Sequence, residues 1–152
     1  MRAGLALPIA TVFGLGYIPF APGTFGSAAG LALWWFLPSS VWVQAAAIVG
    51  LLALGSWSSG VAEEHFSRTD PGQIVVDEVA GMWLTLFLNP VGWFGTVAAF
   101  LLFRIADIIK PFPADRLERL HGGFGVMADD AMAAVYANLV LRLLLTVGHR
   151  VL

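Results

Sequence analysis

The ten carboxylates of this chain are confined to short stretches between long apolar runs, and nothing else in the sequence limits the fold as much. They are Glu63, Glu64, Asp70, Asp77, Glu78, Asp107, Asp115, Glu118, Asp129 and Asp130; none falls in residues 1–62, 79–106 or 131–152. Hydrophobic residues make up 59% of the 152, and charged residues 12%. An average soluble protein is roughly 45–50% apolar, and a domain this small has too little interior to hide the excess. The mean hydropathy of +0.82 points the same way. The expectation is an all-α, polytopic membrane helix bundle forming a single domain over residues 1–152, with the acids brought to one side of the membrane. An acid beside hydrocarbon is costly, so such residues usually carry function.

The net charge of -2 argues against a nucleic-acid partner. With no cysteine there is no disulfide, thiolate metal site or cysteine nucleophile. Clustered acids without cysteine point to a divalent cation held by oxygen ligands. Met1 to Ile18 is apolar but lacks a small-residue cleavage site before a polar region, so an interfacial or half-inserted segment is expected rather than a cleaved signal. There is no P-loop, no GxSxG elbow and no DxD run. Nothing in the sequence sets the oligomeric state.

Residues 19–27, rich in glycine and proline, read as a rigid loop, followed by a short helix over 28–37. Residues 41–62 form a helix of about 33 Å, long enough to span, with Gly50, Gly55 and Gly60 available for close helix contact. Asp70-Pro71-Gly72-Gln73 carries a helix-start signature, predicting a helix from Pro71 to about Leu88 with Asp77 and Glu78 two turns inside. Asn89-Pro90 breaks it, a return helix covers 91–106, residues 107–125 form a polar loop, and a last helix runs from 126 to about 148. This makes four to five membrane-inserted helices. Residues 19–27, 63–78 and 107–130 then share one face with Arg68, Arg104, Lys110, Arg116 and Arg119, and Arg2 close by; the other face has Arg150, with Arg142 able to snorkel toward it. The positive-inside rule makes the charged face cytoplasmic. The tryptophans read as interface belt or helix packing.

Asp77-Glu78 and Asp129-Asp130 are the sharpest features. Neighbours on a helix point about 100° apart, so one acid can face an ion while the other orients a water, binds a second ion or acts as base. Two such pairs on facing helices supply the oxygen cage that Mg²⁺ needs. Asp70 reads as a helix cap and as a ligand. Glu63 reads as a ligand or as a solvated helix end. Arg104, Asp107 and Lys110 are three apart and can share a helix face; Arg104 can pair with Asp107 or bind a lipid phosphate, and Lys110 reads as a phosphate binder. Thr24 and Ser27 are hydroxyl donors for phosphate or for a turn. His121, in a glycine-rich loop, is a candidate proton donor to a leaving group and otherwise an inert loop residue.

Four segments, in order along the chain, carry a resemblance: residues 21–27 (Ala-Pro-Gly-Thr-Phe-Gly-Ser), 70–81 (Asp-Pro-Gly-Gln-Ile-Val-Val-Asp-Glu-Val-Ala-Gly), 103–113 (Phe-Arg-Ile-Ala-Asp-Ile-Ile-Lys-Pro-Phe-Pro) and 121–130 (His-Gly-Gly-Phe-Gly-Val-Met-Ala-Asp-Asp). Together they resemble the phosphatidylglycerophosphatase A family of bacterial membrane enzymes. The resemblance implies a multi-pass, Mg²⁺-dependent phosphatase of the inner membrane, its active site facing the cytoplasm, acting in phospholipid biosynthesis. Its phospholipid substrate would be phosphatidylglycerophosphate, converted to phosphatidylglycerol and inorganic phosphate.

The mechanism expected is metal-assisted phosphomonoester hydrolysis. Asp77, Glu78, Asp129 and Asp130 hold Mg²⁺, with Asp70 or Glu63 completing the cage. Lys110 and Arg104 contact phosphate oxygens, with Thr24 and Ser27 nearby. His121 or a water protonates the leaving oxygen. The competing readings are a cation or proton transporter, which should place acids at helix centres, and a phosphotransferase acting on another lipid phosphate. The DGxxAR run of the CDP-alcohol transferases is missing.

Overall fold

A computed structural model describes residues 2–117, 119–120 and 122–151, with side chains from 3 to 148. The expectations placed on Glu118 and His121, and on the side chains of Arg2 and Arg150, lie outside what is described. Among the described residues there are seven α-helices and no strand: α1 (Arg2–Ala10), α2 (Pro22–Trp34), α3 (Val41–Phe66), α4 (Val76–Leu86), α5 (Trp93–Ile109), α6 (Ala114–Leu117) and α7 (Gly123–Val151). A 3-10 turn at Leu15–Tyr17 joins α1 to α2. α4 sits at the middle of the bundle, packed on α2, α3, α5 and α7; α1 packs on α3, and α7 on α3 and α5.

Two of these elements differ from the pattern read in the sequence. The 19–27 stretch is not all loop, because α2 begins at Pro22 rather than Ala28. Proline at the first helical position has the required φ and lacks an N–H that would go unpaired there. Its glycines are a contact surface: a Cβ at Gly26 would lie 2.9 Å from the Val75 Cβ, and one at Gly30 2.9 Å from the Val79 Cα. The indole of Trp83 closes the same α2–α4 seam, its Nε1–H donating to Gly30 O at 2.9 Å.

The helix expected from Pro71 begins at Val76 instead. Asp70 does not cap it, since its φ of 44° turns the chain away. The Asp70 N–H donates to Glu63 Oε1 at 2.8 Å, and the Val75 N–H donates to Ala10 O at 2.9 Å. These two ties, to α3 and α1, override the local capping signal and hold 70–75 as a turn. Asp77 and Glu78 therefore occupy the first turn of α4 rather than its third, where the positive end of the helix dipole favours an anion.

α4 has 11 residues and is about 16 Å long. Its end inside the bundle is closed by two asparagines. Asn138 Nδ2 donates to Leu84 O, Thr85 O and Phe87 O at 2.8–3.0 Å, and Asn89 Nδ2 donates to Thr85 O at 3.1 Å. After the Asn89-Pro90 turn, α5 returns and runs on to Ile109, which places Asp107 within helix rather than in a loop. α7 begins at Gly123, three residues before the expected start.

α3 and the Gly123–Gly148 part of α7 are each 26 residues long and apolar enough to cross a membrane. Large apolar side chains face outward on them, among them Val49, Leu54, Leu139 and Leu143. The interior side of α3 is mostly small: Gly55, Ser58, Ser59 and Ala62 are buried, together with the larger Ile48. Gly55 rests on Met127 and Gly60 on Gly123, whereas Gly50 faces open space. Small residues where helices meet and large ones outside is the arrangement expected in lipid, where association depends on close packing. A second apolar core forms between α4, α5 and α7 from Met82, Leu86, Phe103, Ala134 and Leu141.

Candidate active site

At one end of the bundle a cleft of about 260 Å³ collects the acids. α2 supplies its N-terminus, Pro22 and Gly23, with Ala21 ahead of it. The 70–75 turn supplies Asp70, Gly72 and Ile74; α4 supplies Asp77 and Glu78. Arg104 and Asp107 come from the last turns of α5, Lys110 from the position just after it, and Asp129 and Asp130 from α7. The Asn89-Pro90 reversal is what lets Asp77 and Asp107, thirty positions apart, line one cleft.

Asp77, Glu78 and Asp130 each present a carboxylate oxygen within 4.8 Å of the others. Asp77 Oδ1, Glu78 Oε2 and Asp130 Oδ2 are buried without a hydrogen-bond partner. Buried polar atoms are normally satisfied; three carboxylates gathered this closely, each with such an oxygen, fit a hard divalent cation. The proton affinities of the α4 pair agree. Burial, then the charge of Glu78, hold Asp77 well above the usual carboxylate range. Burial pushes Glu78 up to about 7, against the opposing pull of its hydrogen bond with Asp77 and of the Arg104 charge. Acids that resist ionisation when alone become good ligands once a cation offsets their charge.

Around this cluster stand two basic side chains, each paired with acid. Arg104 Nη1 is 2.7 Å from Asp107 Oδ2, one helical turn away on α5, and 3.8 Å from Glu78 Oε1. Lys110 Nζ is 2.8 Å from Asp129 Oδ2. Lys110 ends α5 in a left-handed conformation, φ 48°, immediately before Pro111, which turns its side chain back over the cleft.

Of the residues singled out in the sequence, Asp70, Asp77, Glu78, Arg104, Lys110, Asp129 and Asp130 line this cleft. Glu63, Thr24 and Ser27 are not among its lining residues. Glu63 instead accepts the Asp70 N–H and so shapes the turn. Ser27 is fully buried; its Oγ donates to Gly23 O at 2.9 Å and accepts from Arg104 Nη1 at 3.4 Å. Asp107, expected from the three-residue spacing as a partner for Arg104, is that partner and also lines the cleft. Gly23, against the Glu78 carboxylate, has no sequence signal beyond the Pro-Gly pair, which reads first as a turn.

The family model described as phosphatidylglycerophosphatase A matches residues 8–145. A phosphatidylglycerophosphatase A of Escherichia coli is 35% identical over 144 residues, 93% of this chain and 82% of the relative. One of Haemophilus influenzae is 41% identical over 137 residues, covering 88% and 84%. A Bacteroides thetaiotaomicron protein with the provisional name phosphatidylinositol-3-phosphatase is 40% identical over 147 residues, covering 90% and 91%. No solved structure matches the chain.

Proposed function

The chain belongs to the phosphatidylglycerophosphatase A family, and from that membership we propose that it hydrolyses the terminal phosphomonoester of phosphatidylglycerophosphate, releasing phosphatidylglycerol and inorganic phosphate in a Mg²⁺-dependent step of glycerophospholipid biosynthesis. Membership makes it a phosphatase. The observation that carries the chemical reading is the juxtaposition, in one cleft, of a three-acid cluster with two basic side chains.

In this reading Asp77, Glu78 and Asp130 hold the ion. A divalent cation bound there supplies positive charge to the phosphate and lowers the pKa of an attacking water. Arg104 and Lys110 bind phosphate oxygens and orient the ester, and Asp70 lines the same cleft. Asp129 sits beside Lys110, and His121 or a water is the proton donor for the leaving glycerol oxygen. Ser27 contributes from behind by supporting Arg104, and Thr24 lies on the same helix terminus.

The same reading places the protein in the bacterial inner membrane as one domain. α3 and α7 cross it, while α2, α4 and α5 are inserted with them; the cleft faces the cytoplasm. The basic residues Arg68, Arg116 and Arg119, in the segments that flank the cleft, support that orientation. A phosphate at headgroup depth could then reach the cleft while the acyl chains stay in lipid.

The name of the Bacteroides relative favours a second reading, the same hydrolysis on an inositol phosphate headgroup. The test is phosphate release by the purified protein, with Mg²⁺ and with chelator, from phosphatidylglycerophosphate, phosphatidylinositol-3-phosphate and phosphatidic acid. Chelator-sensitive release fastest from the first supports the proposal. Preference for the inositol lipid replaces the substrate, and release that survives full chelation removes the cation.

A further inference from the structure

The cleft's acids differ in their shortest contacts with the two bases. Asp77, Glu78 and Asp130 converge on one another, whereas Asp107 and Asp129 each hold a basic side chain, at 2.7 and 2.8 Å, Asp107 also reaching Asp130. We propose that Asp107 and Asp129 are not cation ligands but positioning residues, each holding one cation, Arg104 or Lys110, so that the two form a clamp for a phosphate dianion beside the acid cluster. The inference deepens the phosphatase reading and takes the identity of its ligand from it.

Arg104 and Lys110 are the two basic side chains among the described residues that line the cleft. A dianion entering a space walled by acids needs both, held in place rather than drawn into the three-acid cluster. Left to itself, a flexible cation beside three convergent carboxylates collapses onto them, since the attraction is strong where water is scarce. The two counter-ions prevent this from opposite sides. Asp107 holds the Arg104 guanidinium at 2.7 Å from within α5, and the buried Ser27 hydroxyl, 3.4 Å away on α2, supports it from behind. The same guanidinium nitrogen stays at 3.8 Å from Glu78 Oε1, beyond hydrogen-bond distance. Asp129, 4% exposed on α7, draws Lys110 Nζ to 2.8 Å.

Adjacent acids on α7 point about 100° apart, so one helix turn serves both tasks: Asp130 joins the cluster while Asp129 engages the lysine. The sequence pair Asp129-Asp130 is thus a division of labour rather than a chelating pair.

The test measures binding without turnover, on the full chain purified in detergent: Mn²⁺ by electron paramagnetic resonance and orthophosphate, at saturating Mn²⁺, by calorimetry. Asp107→Asn and Asp129→Asn are expected to weaken phosphate binding about tenfold or more, as loss of a charge-assisted contact should, with Mn²⁺ affinity within about twofold of the parent. Asp77→Asn is expected to weaken Mn²⁺ binding instead. Mn²⁺ affinity lost in Asp107→Asn or Asp129→Asn to the degree seen in Asp77→Asn overturns the proposal, as does unchanged phosphate affinity. Should Asp129→Asn fold poorly, Lys110→Gln and the Lys110→Gln/Asp129→Asn double variant decide it. Equal phosphate affinity in the two supports action through Lys110, and an additive loss overturns it. Because neither readout requires hydrolysis, an error in the lipid assigned as substrate appears in the phosphate-release assay and not here.

Discussion

Gly23, in the first turn of α2, lies against the carboxylate of Glu78 with no room between them for a methyl group. A Cβ at that position would collide with Glu78 Oε1 and stand 3.2 Å from Arg104 Nη1. The collision is with the far end of a flexible side chain, so the fold can absorb it by moving Glu78. Gly23→Ala is therefore expected to displace one arm of the cation cluster while leaving the bundle intact. The concentration of Mg²⁺ for half-maximal phosphate release should rise about tenfold, with a melting temperature within roughly 2–4 °C of the parent, the span of about 1 kcal/mol. A large drop in melting temperature with an unchanged Mg²⁺ requirement would show that the contact is structural only.

A proton on Glu78 would compete with a cation bound by the proposed cluster. Its carboxyl is raised to about 7, mainly by burial, and that of Asp77 is raised as well. Binding a divalent ion must expel these protons, so affinity is weakest in acid and improves as pH rises through 7. In the metal-free protein the raised values mean that the folded state holds protons more tightly than the unfolded one. The contribution to stability is then full below the ordinary carboxylate value and is lost as pH rises toward the folded value. Two measurements follow. The Mg²⁺ midpoint should fall between pH 6 and pH 8, and the gain in melting temperature on adding Mg²⁺ should be larger at pH 8 than at pH 6. A midpoint that does not move across this range removes Glu78 from the ligand set.

The gathering of the acids was legible in the sequence because long apolar runs leave charged segments few places to go. The Arg104–Asp107–Lys110 spacing was equally open to reading, since three-residue intervals place side chains on one helical face. Two features were not. Pro22-Gly23 and Gly26 look like loop punctuation, and only the contact of α2 with Val75 and Glu78 reveals them as a packing surface. Asp70-Pro71-Gly72-Gln73 has the local chemistry of a helix start, but hydrogen bonds from Asp70 to Glu63 and from Val75 to Ala10 outweigh it. Which member of an adjacent acid pair faces a cation depends on the rotation of its helix. That rotation is set by packing partners such as Phe103 and Met82 in the core.

Asn138 offers a test at the opposite end of α4. Its Nδ2 has two hydrogens and meets three carbonyls, those of Leu84, Thr85 and Phe87. α4 is too short to reach across a bilayer, so these carbonyls end inside the bundle. In lipid no water stands ready to replace a lost donor. Asn138→Leu keeps the approximate bulk and removes the donor, leaving at least two acceptors unmet. The expected cost is about 1–3 kcal/mol, read as a lower melting temperature and faster inactivation in detergent. The Mg²⁺ midpoint of the surviving enzyme should stay at the parent value, because the acids lie at the other end of the helix. A variant that melts with the parent would mean that the turn at 87–92 finds other donors, and the asparagine would lose its place as the cap of α4.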